Sequence, residues 1–476
     1  VNPQQAAAHL AFFRTVCGAR GVRSTPQDQA SFLEEPRGRF TGAALAVVLP
    51  GSTAEVAAVV QYAQTHGIAV VPQGGLTGLC GGALPDSSGR QIVLNLKRMR
   101  RVLALDPVEA TVTVEAGCRL AEVQAAADAA GLWFPLSLAS AGECQIGGNL
   151  ATNAGGHNVL RYGNVRELCL GLEVVLADGR IWSDLKGLRK DNSGYDLKQL
   201  FIGAEGTLGV ITAAILRLVP HPAQQVTAQV AVSDPAAALR LLGRLSGAVG
   251  EALTAFELMS AFSLELVARH FPDLPARQLE TSPWNVLLEL SGASSDAGLS
   301  DRLSQILGAA LRSGEIRDAV VAQNASQGAR LWAVRNAIPD AQRREGPSIK
   351  HDIALPRARM AAFIGEMLPL LESRFPGARP CIFGHLGDGN LHFNLSLRQG
   401  DDAQAFLDQR DALERLVHDR VVAQGGSFSA EHGIGQLKRG EMARYKDAVT
   451  LDLMRTLKRA LDPHDVMNPG KVLPDP

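Results

Sequence analysis

Cysteine is scarce and scattered. The six residues Cys17, Cys80, Cys118, Cys144, Cys169 and Cys381 form no CxxC pair, so a disulfide framework is not expected and a reducing, cytoplasmic setting is the default. Charge of one sign is lacking too. The 47 basic residues against 48 acidic leave a formal net of -1, which removes the general electrostatic footprint of a nucleic-acid binder. No apolar run approaches the ~18 residues of a transmembrane helix. Residues 1–10 hold no basic segment followed by an apolar one, so no secretory signal is expected. No internal repeat of ~20–50 residues is visible. Two further absences are chemical. No GxGxxG opens a helix after a strand, and no GxxxxGK[ST] occurs, so the Rossmann and P-loop nucleotide sites are excluded.

What is present is a 476-residue chain, 46% hydrophobic, long enough for two to four domains at ~150 residues each. From Ala44 to about Pro220, short β-rich runs alternate with helical segments. Leu45–Leu49, Ile68–Val71, Ile92–Leu96, Arg101–Leu105 and Ala110–Val114 read as strands. Thr53–His66 reads as a helix capped by Ser52 or Thr53 and stopped by Gly67. Beyond the Pro220-His221-Pro222 pivot, strands such as Val226–Val232, Val286–Leu290 and Ile349–Leu355 alternate with helices at Pro235–Leu245, Leu299–Arg312, Ala358–Ser373 and Ala403–Ala423. That pattern predicts an antiparallel sheet covered by helices, an α+β arrangement. The boundaries expected are 1–221, 222–450 and a tail, 451–476.

Glycine, 48 of 476 residues, is clustered. One loop runs Pro72-Gln73-Gly74-Gly75-Leu76-Thr77-Gly78-Leu79-Cys80-Gly81-Gly82, directly after a strand. A second runs from Gln145 through Gly147-Gly148-Asn149-Leu150-Ala151-Thr152 to Gly156. Glycine lets backbone N–H groups approach an anion closely and permits positive φ. Two such loops suit one long anionic ligand held from two sides, whereas either loop alone reads as well as an ordinary tight turn. A third small-residue segment, Phe201 to Thr212, suits packing against a planar ligand.

A different chemistry is written at 383–394. Asp388-Gly389 between β-rich runs is a two-residue hairpin signal. With that turn, His385 lies opposite His392, their side chains ~5 Å apart on one face, and Asn394 shares the face. Two convergent imidazoles suit a divalent metal. Glu431, in Ser429-Ala430-Glu431-His432-Gly433, is the best third ligand. His432 beside it is a candidate general base, since imidazole titrates near neutrality. Arg335 and Lys350 are candidates to clamp a carboxylate, or else two surface charges.

The three glycine segments, in this order, resemble the flavin domain of the vanillyl-alcohol oxidase/para-cresol methylhydroxylase (PCMH) superfamily. The resemblance implies a two-subdomain FAD-binding domain of the PCMH type over 1–221. It implies FAD contacts at Pro72, Gly74, Gly75, Thr77, Gly78, Gly142, Gly147, Gly148, Asn149, Thr152, Glu205, Gly206 and Ile211. Relatives that attach FAD covalently do so through a His in the first loop. This loop has none, so non-covalent FAD is expected. GHLGDGNLHFN, SAEHGIG and DPHDVMNPGK together resemble the FAD-linked D-2-hydroxyacid dehydrogenases, which extends the match over nearly the whole chain.

That second resemblance implies zinc, or another divalent metal, on His385, His392 and Glu431. It implies His432 as a substrate contact and the acceptor of the hydroxyl proton, Asn394 as a second substrate contact, and Asn468 as a further FAD contact in a tail that returns to the FAD domain. The implied reaction is metal-assisted oxidation of a D-2-hydroxy acid by hydride transfer to flavin. Arg335 and Lys350 match residues that hold the distal carboxylate of D-2-hydroxyglutarate, which makes it the first-choice substrate and 2-oxoglutarate the product. A Thr that assists them in relatives is Pro339 here. D-Malate, D-lactate and a flavin subunit of a glycolate oxidase-like complex are the alternatives. An electron acceptor such as electron-transferring flavoprotein or a quinone is implied, and a homodimer is expected.

Overall fold

A computed structural model describes residues 2–35, 38–276, 279, 282–292, 298–398 and 400–475. Packing divides the chain into two units. The first is Val1–Gly156, Gly163–His221 and Glu431–Pro476; the second is His157–Tyr162 and Pro222–Ala430. The chain leaves the first unit at the Pro-rich pivot and rejoins it at Glu431, not at 451. Among the described residues no helix is long and apolar enough to cross a membrane. All six cysteines are buried, and among the described residues they form no disulfide.

The first unit holds a four-stranded sheet ordered Val22–Arg23, Ala46–Val48, Ile92–Asn95, Val70–Gln73, the last three strands parallel. Its helix Thr53–Thr65 begins where Ser52 accepts the Glu55 N–H and Glu55 accepts the Gly51 N–H at 2.7 Å. Val56, Val59, Val60 and Ala63 follow the helical spacing and are fully buried. Each valine is worth about 1.5–3 kcal/mol of burial. A second, antiparallel sheet is ordered Val102–Asp106, Thr111–Glu115, Val210–Arg217, Cys169–Val175, Ile181–Ser183.

The second unit is built on one antiparallel sheet. Its strands are β1 (Gln224–Val232), β2 (Leu253–Ser260), β3 (Trp284–Gly292), β4 (Asp318–Val321), β5 (Ser348–Ile349), β6 (Asp352–Ala354), β7 (Ala378–Gly384) and β8 (Asn390–Leu397). The order is β4-β1-β3-β2-β7-β8-β5, with β6 also pairing β8. The expected strand Ile349–Leu355 is therefore two short strands. The expected helix Ala403–Ala423 is likewise two, Ala403–Leu407 and Arg410–Ala423.

One sheet face packs Val230, Phe256, Leu258 and Leu288 against residues such as Leu241, Leu303, Phe363 and Val417 of four helices. The other face packs Met259, Leu287, Cys381 and Phe383 against Leu264 and Val267 of helix Ala261–His270 and Leu331, Val334 and Ile338 of helix Ala325–Glu345. Both faces are covered, so the central strands read as continuous apolar runs and not as alternation.

The long helix Ala325–Glu345 starts at Asn324, whose Oδ1 accepts the Gln327 N–H at 3.0 Å, and runs through Pro339. Proline has no N–H, so the carbonyl of Arg335 loses its helical donor there. The helix ends at Glu345, whose carboxylate accepts bonds from Arg269, Arg379 and His270 at 2.7–2.8 Å. Burial alone would raise this carboxyl, but those three partners outweigh it and hold it down at about 2. A pKa below the ordinary 4.5 makes the contribution complete above 4.5 and lost as pH falls towards 2. Glu345→Gln is therefore expected to lower the melting temperature near neutrality. The gap from wild type should close across that acid window. Melting curves taken against pH check it, and a constant gap would contradict it.

Candidate active site

In the first unit the strand Val70–Gln73 delivers the first glycine loop. Gln73, buried at its start, donates to Phe32 O and Ala83 O at 2.9 and 2.8 Å and accepts from Asn95 at 3.0 Å. Asn95 also donates to Gly74 O. Both ends of the loop are thus pinned from within. The second loop is in part a short helix, Ile146–Ala151. Each loop is crowded by backbone or side chain around it: a Cβ on Gly75 would fall 2.0 Å from the Glu143 carbonyl oxygen, and one on Gly147 2.8 Å from the Ala116 Cβ. Glycine is required at both.

A cavity opens between these loops. From the first loop it is lined by Pro72, Gly74, Gly75, Thr77 and Gly78, and from the second by Gly147, Gly148, Asn149 and Thr152. Glu205, Gly206, Ile211 and His432 also line it, as do Cys80 and Gln145, which were not among the expected FAD contacts. Gly142 and Asn468 do not line it. The Asn468 side chain instead donates to Gly82 O and Glu205 O, at 2.9 and 2.8 Å.

Glu205 lines the cavity, and its carboxylate is engaged by the chain itself. It accepts the N–H groups of Ile434 and Gly435 at 2.7 and 2.8 Å, fixing the turn that follows His432. Burial raises its carboxyl pKa against the pull of those two N–H groups. The Cys80 thiol donates to Gly433 O at 3.4 Å. Two buried polar atoms at the cavity wall, Gln145 Oε1 and Asn149 Nδ2, meet no hydrogen-bond partner among the described residues. Buried polar groups are normally satisfied. A polar ligand that offers both donors and acceptors, as a dinucleotide does, fits this wall.

In the second unit the hairpin differs from the expected one. Phe383, not His385, pairs with His392. The turn is longer than two residues: Gly384 takes φ 142° and the His385 carbonyl accepts the N–H groups of Asp388, Gly389 and Asn390. His385 therefore sits in the loop, yet its ring still lies 5.7 Å from that of His392. What holds it is Glu257 on β2, whose Oε1 accepts from His385 Nδ1 at 2.5 Å. The other oxygen of Glu257 accepts from Arg335 Nε at 2.7 Å.

Arg335 is thus no surface charge. It is 4% exposed, and its guanidinium lies 5.0 Å over the Phe383 ring. Glu257 stays ionised: burial opposes the charge, but His385 and Arg335 together hold its carboxyl well below the usual range. His157, in the short excursion, stacks on Trp332 at 4.8 Å and lies 5.5 Å from His385. Burial, with Arg335 adding to it, holds His157 at about 3, so this ring is neutral near pH 7.

Asn394 shares the His392 side of β8. Its Oδ1 accepts the His351 N–H at 3.1 Å and its amide donates to Gln342 at 2.9 Å. The registers Ile349 to Leu395 and Asp352 to His392 place Lys350 opposite Asn394. Asp352 lies 3.9 Å from His392 Nδ1. One face of one sheet thereby carries His392, Asn394 and Lys350 beside the Glu257–His385–Arg335 cluster. Glu431 lies outside this unit, one residue past its end at Ala430. For a metal, the donor chemistry fits: an anionic acceptor on Nδ1 leaves His385 Nε2 as the lone-pair nitrogen.

Sequence comparison supplies the kinship. Residues 44–184 match an FAD binding domain, and residues 221–472 match the C-terminal domain of FAD linked oxidases. The chain is 40% identical over 436 residues to the mitochondrial D-2-hydroxyglutarate dehydrogenase of Bos taurus, covering 91% of this chain and 77% of that one. It is 36% identical over 451 residues to the D-2-hydroxyglutarate dehydrogenase of Xanthomonas citri pv. viticola, covering 95% and 94%. In fold it is similar to p-cresol methylhydroxylase with substrate bound, with a TM-score of 0.76 at 16% identity over 99% of this chain and 97% of that one. The architecture is accordingly α+β, a PCMH-type FAD-binding domain followed by an antiparallel sheet covered by helices. The chain belongs to the FAD-linked oxidases, as a homologue of the D-2-hydroxyglutarate dehydrogenases.

Proposed function

We propose that the protein oxidises a D-2-hydroxy acid, with D-2-hydroxyglutarate preferred over D-malate and D-lactate. The supporting observation is the second unit's sheet face, where Arg335, Lys350 and Asn394 share one layer with His385 and His392. FAD is held without a covalent bond by the two glycine loops and the 205–211 segment. A divalent metal, zinc first, is held by His385, His392 and Glu431. Bound FAD supplies the hydride acceptor, and a bound metal supplies a Lewis acid for the substrate's oxygens.

The chain's own residues do the rest. His432 takes the α-hydroxyl proton. Arg335, anchored through Nε, keeps both Nη groups for a carboxylate, since neither donates to any of the described residues. Lys350 adds a second positive charge and Asn394 orients the acid. As its hydroxyl proton leaves, the substrate releases its C2 hydrogen with the electron pair and becomes the 2-oxo acid. Reoxidation falls to an acceptor such as electron-transferring flavoprotein or a quinone. We place the protein in the cytoplasm, as a homodimer.

Substrate choice tests this reading. A charge-assisted carboxylate contact is worth roughly 1.5–3 kcal/mol, so kcat/KM for D-2-hydroxyglutarate is expected to exceed that for D-lactate by about 10²-fold. Steady-state rates with D-2-hydroxyglutarate, D-malate and D-lactate decide it. D-Lactate as the better substrate would remove the clamp.

A further inference from the structure

Glu257 lies in the middle of β2, 1% exposed, among apolar neighbours. A buried carboxylate normally has to be compensated, and this one is compensated twice. Oε1 accepts from His385 and Oε2 from Arg335. We propose that Glu257 is a positioning residue that binds the metal-ligand imidazole and the substrate-binding guanidinium into one unit, an inference that rests on the function proposed above.

Two consequences follow from acceptor geometry. Each Glu257 oxygen faces one nitrogen, Oε2 the Arg335 Nε–H and Oε1 the His385 Nδ1 at 2.5 Å, an arrangement in which His385 donates from Nδ1 and presents Nε2 as a ligand. Carboxylates behind metal-bound imidazoles raise ligand basicity and fix ring orientation. On the other side, the Nε bond and the Phe383 ring beneath it fix the plane of Arg335, so its Nη edge is pre-set to meet a carboxylate bidentately. His157, stacked on Trp332 and 5.5 Å from the His385 ring, closes the cluster.

Glu257→Gln separates these roles. An amide has one acceptor oxygen. If that oxygen accepts from His385, the Nε–H of Arg335 meets an N–H₂ group. If it accepts from Arg335, His385 must move its proton to Nε2 and ceases to be a ligand. In the purified flavoprotein, Zn²⁺ affinity measured by competition with a chelator is expected to fall about 10–100-fold. The KM for D-2-hydroxyglutarate should rise about tenfold and that for D-lactate less. A merely structural role would lower the melting temperature and leave Zn²⁺ affinity unchanged in the folded variant, which would overturn the proposal.

A second measurement needs no variant. Selective ¹⁵N labelling of the 11 histidines in metal-free wild type reads the His385 tautomer. The proposal requires Nδ1–H, and Nε2–H contradicts it. Wild type that takes up no Zn²⁺ but shows Nδ1–H overturns the metal reading. Zn²⁺ uptake by wild type with unchanged E257Q affinity and KM overturns Glu257's role alone.

Discussion

Chelation should slow flavin reduction by D-2-hydroxyglutarate about 10³-fold, the loss expected when several kcal/mol of Lewis-acid stabilisation is removed. The flavin itself should stay bound, because the glycine loops that would hold it contain none of the three proposed ligands. Restoring Zn²⁺, and then Mn²⁺ or Co²⁺, should recover the rate to different extents, since two imidazoles and a carboxylate serve several metals. His385 is the most committed of the three, its Nδ1 already taken by Glu257. A chelated, demonstrably metal-free protein that keeps its full rate would contradict the assignment of His385, His392 and Glu431.

The second large effect is at His432. General-base assistance is worth about 10²–10⁴ in rate, and His432→Ala should lose that much in kcat with little change in KM. The backbone on its C-terminal side should hold. Glu205 fixes the N–H groups of Ile434 and Gly435, and Cys80 donates to Gly433 O. Truncation therefore removes an imidazole from the cavity wall and leaves the turn in place. Stopped-flow reduction measured at equal flavin content checks this. A His432→Ala protein with wild-type kcat would remove the residue from the chemistry.

The parts of this site that were legible from sequence are those whose requirement is local. Gly75 and Gly147 are needed because backbone and Cβ atoms crowd them, and such loops announce themselves as glycine clusters. The paired histidines were visible because they lie seven residues apart. Their register was not, since Asp-Gly specifies a turn only where nothing else claims the flanking residues. Here Glu257, 128 residues away in sequence, holds His385 out of the ladder. Glu257 and His157 carry no motif and sit in chain segments remote from their partners.

The long helix was missed for a plainer reason. Pro339 reads as a breaker, and the helix carries little amphipathic contrast because it presents Arg335 and Gln342 to a polar part of the sheet. Its start did carry a signal: Asn324 caps Gln327, and the Gln327 side chain accepts the Gln323 N–H in return. The return to the first unit at Glu431 had no compositional mark at all.

One experiment bears on the central claim most directly: anaerobic addition of D-2-hydroxyglutarate to the purified protein while the flavin absorbance band is followed. Stoichiometric bleaching with 2-oxoglutarate as product, weak bleaching by D-lactate and none after chelation is the predicted result. A yellow protein whose band no D-2-hydroxy acid diminishes would contradict it.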